Sequence, residues 1–558
     1  MSLRPFALKV VTFNFFLLLV IMTGKVVASP TDAPSYYLSN TPALAVNFAN
    51  NTNSEQATSN IWINLVGGGL PTDPSNSATL AADTQSIGYY YDNTGTAQYL
   101  YTNTSLNLSS ISSSATNNQP EIFLFGWGSG RLYVSYGSGF TGLSSSYTPS
   151  TGPYAGWQPA PGSPDANFEI RHQAMELTVT PEANSTQTAW TAVNQMYADL
   201  SYIDYASISL GMTVSNPTAG AKNTTQTTSI GSTLVNAVAS TLTVPQYTPN
   251  SNILTNGGSI IQVAGQSTNP APPAAGSYQN ATNFNAPNGP LPSSNFLRVA
   301  SPGSMGTTGS SNGPTAFYHD WSRYMSALQT GGSLNSAGAL VTTIAGVNAS
   351  TTYNMIATFN AGTINIGGTD YTGYVHMTGT IGGSAATIDI PYSEMEKSTG
   401  VYGENPQYSI NGGPLQAEGN TIQTWVTGDL LTGMNFGFVG STTPVDSTTL
   451  GALTSTQWWA AANDDMSITF AGAQSDVEFY NTYAAELQNV TSGYAFAYED
   501  RLGQNTTNYT VDGDSPPVTG PVLNVGVNPD FASVPEPSSI LLFMGGAAGL
   551  FIFRKRGK

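Results

Sequence analysis

The sequence predicts a mainly β protein, built as a sandwich or barrel. Three observations predict it. Short apolar runs with period-two alternation recur along the chain, bounded by Gly, Asn, Asp and Ser. Charged residues make up only 8% of the chain, and Ser, Thr, Asn, Gly and Tyr take their place, a composition common in extracellular β proteins. Cysteine is absent, which removes both a disulfide framework and thiolate chemistry. At 558 residues the chain can bury a large core and hold two or more lobes.

In chain order, Arg4 and Lys9 precede an apolar run from Val10 to Met22, with Val26 and Ala28 at the small-residue positions of a cleavage site. This is the pattern of a secretory signal peptide over residues 1–28. Ala43 to Ala49 and Ile61 to Val66 read as strands. Ile87 to Tyr91 and Gln98 to Thr102 read as a strand pair with a turn at Asp92-Asn93-Thr94-Gly95. Ile122 to Trp127 and Arg131 to Tyr136 read as another pair, with Gly128-Ser129-Gly130 as the turn. Residues 215–294 are rich in Thr, Asn, Pro, Ala and Gly and read as a long insertion. Phe296 to Ala300 resumes order. Ala316 to Leu328 has a helical apolar period through Phe317, Trp321, Tyr324, Met325 and Leu328. Thr351 to Ile390 is a run of alternating strands. Gln457 to Ala462 and Val477 to Leu487 read as helices, and Ser492 to Tyr498 and Val522 to Val527 as closing strands.

The C-terminus reads Val534-Pro535-Glu536-Pro537, then an apolar run from Ile540 to Phe553, then Arg554-Lys555-Arg556. The run is short for a full membrane span, and the basic cluster behind it suits a cytoplasmic stop. Residues 534–558 resemble a PEP-CTERM sorting signal in the triplet, the apolar run and the basic end. That resemblance implies a Gram-negative bacterium that makes exopolysaccharide, transient inner-membrane anchoring and cleavage by an exosortase-type enzyme. The destination is the cell envelope or the exterior. Between the two ends, residues 29–533 form the body of the protein.

Once both ends are set aside, seven basic residues remain: Arg131, Arg171, Lys222, Arg298, Arg323, Lys397 and Arg501. Against a formal net charge of −18, so few cations disfavour nucleic acid and anionic lipid as partners. His172, His319 and His376 lie far apart and show no metal-ligand spacing, so no metal and no cofactor is expected. Asp464-Asp465 lacks a calcium-loop pattern and reads as a solvated or helix-capping pair. Gly309-Ser310-Ser311-Asn312-Gly313 fits a nucleophile elbow by letter, but no strand enters it.

The chemistry concentrates between Phe168 and Val214. Met175-Glu176-Leu177-Thr178-Val179 sets a carboxylate in an alternating apolar run, and Leu200 to Leu210 sets Asp204 in a second. A carboxylate in such a run is costly unless it is paired or used. Two of them on strands that could be neighbours point to a glycosidase-type acid and base. The alternative is a pair of salt-bridged or edge-exposed acids. Trp127, Tyr136 and Tyr202 are candidates to stack on sugar rings, with core packing as their alternative role.

Several ordered segments resemble glycoside hydrolase family 64, the β-1,3-glucanases of the thaumatin-like superfamily. They are Gly130 to Ser138, Met175 to Val179, Ala198 to Asp204 with Ala206 to Leu210, Arg298 to Gly303, Ala316 to Tyr324, Phe479 to Ala484 and Gly493 to Asp500. The resemblance implies a thaumatin-like β-sandwich or barrel lobe, a smaller mixed α/β lobe and a wide cleft between them. It places the general acid on Glu176 and the general base on Asp204, and it implies inverting cleavage of β-1,3-glucan. Asp199 stands where an Asn is common and joins Trp127, Tyr136 and Tyr202 as a substrate-binding candidate. The connection between Glu176 and Asp204 is longer than the family pattern, with Pro181 to Gln195 as the extra. The second reading is a non-catalytic carbohydrate-binding or exopolysaccharide-matrix protein on the same fold.

Overall fold

A computed structural model describes residues 43–67, 86–143, 167–215, 225–227, 261–263, 296–301, 321–329, 341–470, 480–510 and 522–529, apart from short gaps inside them. The expected signal peptide, the sorting tail, His319, the Gly309–Gly313 motif and most of the expected 215–294 insertion lie outside the described residues.

The strands in chain order are β1 (Leu44–Asn50), β2 (Ile61–Val66), β3 (Ser86–Tyr91), β4 (Ala97–Tyr101), β5 (Thr104–Asn107), β6 (Glu121–Leu124), β7 (Trp127–Tyr136), β8 (His172–Ala183), β9 (Trp190–Ser201), β10 (Tyr205–Ala206), β11 (Leu210–Ser215), β12 (Thr225–Thr227), β13 (Ile261–Val263) and β14 (Phe296–Ala300). After helix α1 (Trp321–Gln329) come β15 (Val341–Asn348), β16 (Thr351–Ile366), β17 (Thr369–Ile381), β18 (Ser384–Pro391) and β19 (Ser409–Ile410). Helices α2 (Ile422–Asn435), α3 (Ser455–Asp464) and α4 (Thr482–Gln488) follow, with the short pair β20 (Pro444–Val445) and β21 (Thr448–Thr449) between α2 and α3. Strands β22 (Thr507–Thr510) and β23 (Val522–Val527) close the described chain.

The chain is therefore mainly β, with these helices all in its second half. One sheet runs β22-β9-β8-β7-β2-β5, and a second runs β12-β11-β23-β1-β6-β3-β4. Alternation sends one face of each toward a common core: Ile63, Leu132, Met175, Leu177, Ala198 and Leu200 from the first, Val46, Phe48, Ile122, Leu124 and Val525 from the second. A third sheet, β15-β16-β17-β18-β19, carries α1, α2 and α3 against it. Its apolar face, with Met355, Phe359, Val375 and Ile388, joins the same contiguous core.

The β3–β4 pair is as expected, and Asp92 stabilises its turn by accepting from the amides of Thr94 and Thr96. Asp465 caps a short 3-10 turn by accepting from the Ser467 amide. Two expectations are overturned. Gly128-Ser129-Gly130 is no turn: it lies inside β7, whose Trp127 already pairs with Val179, and a bulge between Trp127 and Gly130 takes up the extra residue. The runs on either side belong to different sheets. The described part of Ser492 to Tyr498, residues 492–496, is not a strand either. It bends, touching β9 through one bridge between Tyr494 and Ser201. Of the expected helix from Ala316, the described part is α1, whose Trp321, Tyr324, Met325 and Leu328 are buried. Among the described residues no helix is long and apolar enough to cross a membrane.

Candidate active site

The outer face of the β22-β9-β8-β7-β2-β5 sheet holds the acids. On β8, Met175 and Leu177 point into the core, so Glu176 between them leaves on the opposite face. Register places Arg131 of β7 beside Glu176 on one side and Asp199 of β9 on the other. Val66 of β2 extends the row beyond Arg131. Four consecutive strands therefore line up Val66, Arg131, Glu176 and Asp199 across one face.

Asp204 arrives from a different direction. It sits in a bend after β9, not in a strand as the sequence suggested, and the two-residue β10 begins at the next position. Several contacts fix that bend. The Asp204 carbonyl accepts from the Ser301 amide at 2.9 Å, and Tyr205 pairs with Ala300 of β14. The Tyr202 amide donates to the Tyr494 carbonyl at 2.7 Å, and the Tyr483 hydroxyl of α4 donates to the Tyr202 carbonyl at 2.7 Å. Gly493 is required here: a Cβ on it would lie 2.5 Å from the Leu200 carbonyl oxygen.

Arg131 joins the two acids. Its Nη2 lies 2.5 Å from Glu176 Oε1, and its Nη1 lies 3.1 Å from Asp204 Oδ2. With the ~2.3 Å between its two nitrogens, these contacts cap the separation of the two contacting oxygens at about 8 Å, where inverting glycosidases hold their carboxyl groups roughly 6.5–9.5 Å apart. The side chains of Arg131, Asp204 and Glu176 are 14%, 25% and 37% exposed, so the group opens to solvent on one side. Ion pairs this accessible contribute only about 0–1 kcal/mol, so stability is a weak reason for the cluster. The environment of Glu176 is thus charged and polar, not the apolar one its strand implied, because alternation separates it from its apolar neighbours.

Beside the row, on the same face, Val66 packs with Tyr133, Ala174, Phe140 and Tyr205 in a small apolar cluster. Burial pushes the Tyr205 hydroxyl well above the usual phenol range, so it stays protonated. His172, buried beside Tyr205, is held neutral by burial first and by the Arg298 charge second. Arg298 is itself fully buried and donates to the Ile170 carbonyl. Among the described residues no group of three or more metal-ligating side chains could hold an ion.

The aromatic candidates separate from the acids. Trp127 is fully buried, and its Nε1 donates to the Gly67 carbonyl at 2.8 Å. Tyr202 is fully buried in the core. Tyr136 alternates onto the face opposite Arg131, packing against the core with Arg171 over its ring. None of the three is presented beside Glu176. Among the described aromatics on the acids' face, Tyr133 is fully buried and Trp62 partly buried, and the exposed one is Tyr197, two positions before Asp199 on β9, paired with Thr178 and 38% exposed. Parity with Asp199 was the signal that could have found it. Arg131 carried a signal too, being one of few basic residues in the body of the chain.

Residues 42–259 match the model of glycoside hydrolase family 64, described as beta-1,3-glucanase, and the match contains Arg131, Glu176, Asp199 and Asp204. Residues 533–556 match the PEP-CTERM protein-sorting motif. No curated protein matches the chain significantly in sequence. Among solved structures, a beta-1,3-glucanase domain of the same family from Clostridium beijerinckii is 13% identical; the alignment covers 87% of this chain and 98% of that one, with a TM-score of 0.43. A laminaripentaose-producing beta-1,3-glucanase from Paenibacillus barengoltzii, complexed with laminarihexaose, is 11% identical over 89% of this chain and 77% of its own, with a TM-score of 0.37.

Proposed function

We propose that this chain, which carries a family 64 segment over residues 42–259 and a sorting motif at its end, is an exported endo-β-1,3-glucanase-like glycoside hydrolase. Glu176 is the general acid and Asp204 the general base of an inverting reaction. Asp204 takes a proton from a water as that water attacks the anomeric carbon. Glu176 gives its proton to the glycosidic oxygen as the bond to that carbon breaks. The observation that carries this reading is the single guanidinium in contact with both carboxylates, which holds them within one sugar's reach on an open face. Tyr197 offers its ring to a pyranose beside them, and Asp199 offers its carboxylate to a sugar hydroxyl.

The rest of the reading follows the sequence. Residues 1–28 direct export, residues 29–533 form the hydrolase with its insertion around 215–294, and residues 534–558 anchor the chain until an exosortase-type enzyme removes them. A thaumatin-like lobe, a mixed α/β lobe and a cleft between them for the glucan belong to the same proposal.

One observation favours a second reading. Both acids are engaged by Arg131, as they would be in a glucan-binding or matrix protein that keeps the site's charge pattern and does no chemistry. Laminarin separates the two. Reducing ends released by the purified protein and absent with Glu176→Gln and Asp204→Asn support the hydrolase; laminarin bound without release supports the binding protein.

A further inference from the structure

In the reaction above, the negative charge of the pair changes place but not size. Before cleavage Glu176 is neutral and Asp204 is ionised. Afterwards Glu176 is ionised and Asp204 holds the proton taken from water. Solvent then carries that proton away and returns one to Glu176. A cation touching only one of the two acids would favour one end of the reaction over the other. Arg131 touches both, through Nη2 on Glu176 and Nη1 on Asp204.

We infer that Arg131 is a positioning residue, the shared counter-charge of the Glu176–Asp204 pair throughout the turnover; the inference rests on the acid and base roles proposed above. The guanidinium is a planar fork with its charge delocalised over both nitrogens. Charge can therefore move from one carboxylate to the other with no swing of the side chain between them, which keeps reorganisation small. One oxygen of each carboxylate is committed to the fork, so the gap between the acids is set from beneath.

The strand is built to hold that fork still. Arg131 follows the β7 bulge directly, and the bulge seats the Trp127 indole under Gly130, where an added Cβ would fall 2.0 Å from the ring. Neighbours in register on both sides, Val66 and Glu176, fix the strand laterally. The charged and titratable groups around Arg131 are Glu176 on β8 and Asp204 in its bend, both in contact with it, Tyr205 on β10, and, sharing its face, Tyr133 on β7 itself and Asp199 on β9 beyond Glu176. Burial keeps Tyr205 protonated, and the Arg298 guanidinium stacks over the Tyr205 ring, 5.4 Å from its centroid, with its Nη2 on Ile170.

The test is steady-state hydrolysis of laminarin by the full-length protein across pH, with R131Q, R131K and E176Q, each checked by a thermal melt. For R131Q the inference expects KM within about threefold of wild type and kcat lower by roughly 10²–10³. It also expects both limbs of the pH profile to move to higher pH, because losing the cation favours the protonated carboxyl. R131K keeps the charge and loses the fork, so its limbs stay in place and kcat falls about tenfold. R131Q with wild-type kcat, or with lowered kcat and unmoved limbs, overturns the inference. If R131Q shows no melting transition, R131K decides: wild-type kcat or displaced limbs overturn it. In all these cases wild type turns over and E176Q does not, so the acid–base reading stands. A wild-type protein without turnover overturns that reading and this inference with it.

Discussion

Arg131 and Glu176 are direct cross-strand partners on β7 and β8, and their side chains meet as an ion pair at 2.5 Å. The same register gives Glu176 a second neighbour, Asp199, whose backbone faces it from β9. Under the proposed acid–base reading, two acids compete to be its partner: Asp199, adjacent in the sheet and only 9% exposed, and Asp204, farther along the chain and joined to Glu176 through Arg131.

The two can be told apart by substitution. With Asp204 as the base, Asp204→Asn lowers kcat on laminarin by roughly 10²–10⁴ and Asp199→Asn leaves it within about tenfold. Steady-state kinetics of the two variants check this, and the reverse ranking transfers the base role to Asp199.

Tyr197 is the exposed aromatic on the face of the acids. Removing its ring takes away a stacking surface worth about 0.5–1.5 kcal/mol, so Tyr197→Ala raises KM for laminarin about two- to tenfold and changes kcat little. Tyr197→Phe keeps both constants near wild type.

Trp127 belongs to the core and holds β7 from beneath. Trp127→Ala costs about 3–5 kcal/mol of stability in urea unfolding, as large aromatic truncations do. Trp127→Phe, which keeps most of the packing and loses the bond to the Gly67 carbonyl, costs far less. A Trp127→Ala protein of unchanged stability with raised KM would return this residue to the sugar.

Glu121 on β6 makes stability fall with pH. Burial lifts its carboxyl from 4.5 to about 7 in the folded protein, against the opposing pull of a hydrogen bond with Ser114. A raised acid is an asset of the folded state only while it is protonated. Its contribution is fully present below pH ~4.5, is lost as pH rises toward ~7, and leaves a deficit of at most about 3 kcal/mol above that. Glu121→Gln has no such slope. Its stability gain over wild type in urea unfolding grows from near zero at pH 4 to a few kcal/mol at pH 8.

What the sequence revealed depended on how local the cause was. Strands β2 and β23 have the bounds that alternation and turn residues set, and Glu176 stood out because one charge interrupts an apolar period. Asp204 looked like a strand residue because Leu200 to Leu210 is almost uncharged; the bend comes from distant segments, Ser301 and Tyr494, that hydrogen-bond to the chain on either side of it. The pairing of Arg131 with both acids depends on register between strands far apart in sequence, which no local pattern encodes. Helix α2 went unread because it is buried almost all round and shows no polar stripe; its Asp429 accepts from Tyr353 at 2.6 Å and its Asn435 donates to Glu404 at 3.0 Å. The stacking candidates were chosen by residue type; the β7 bulge turns Trp127 to the core face, and strand parity sends Tyr136 away from the acids while Tyr197 shares their face.

The stereochemistry of the first product tests the acid–base pair most directly. Proton NMR of laminarin hydrolysis in deuterated buffer follows the anomeric signals before mutarotation mixes them. The account predicts that the α-anomer appears first with wild-type protein and that no product forms with Glu176→Gln. The β-anomer appearing first, or product forming at the wild-type rate with Glu176→Gln, would contradict it.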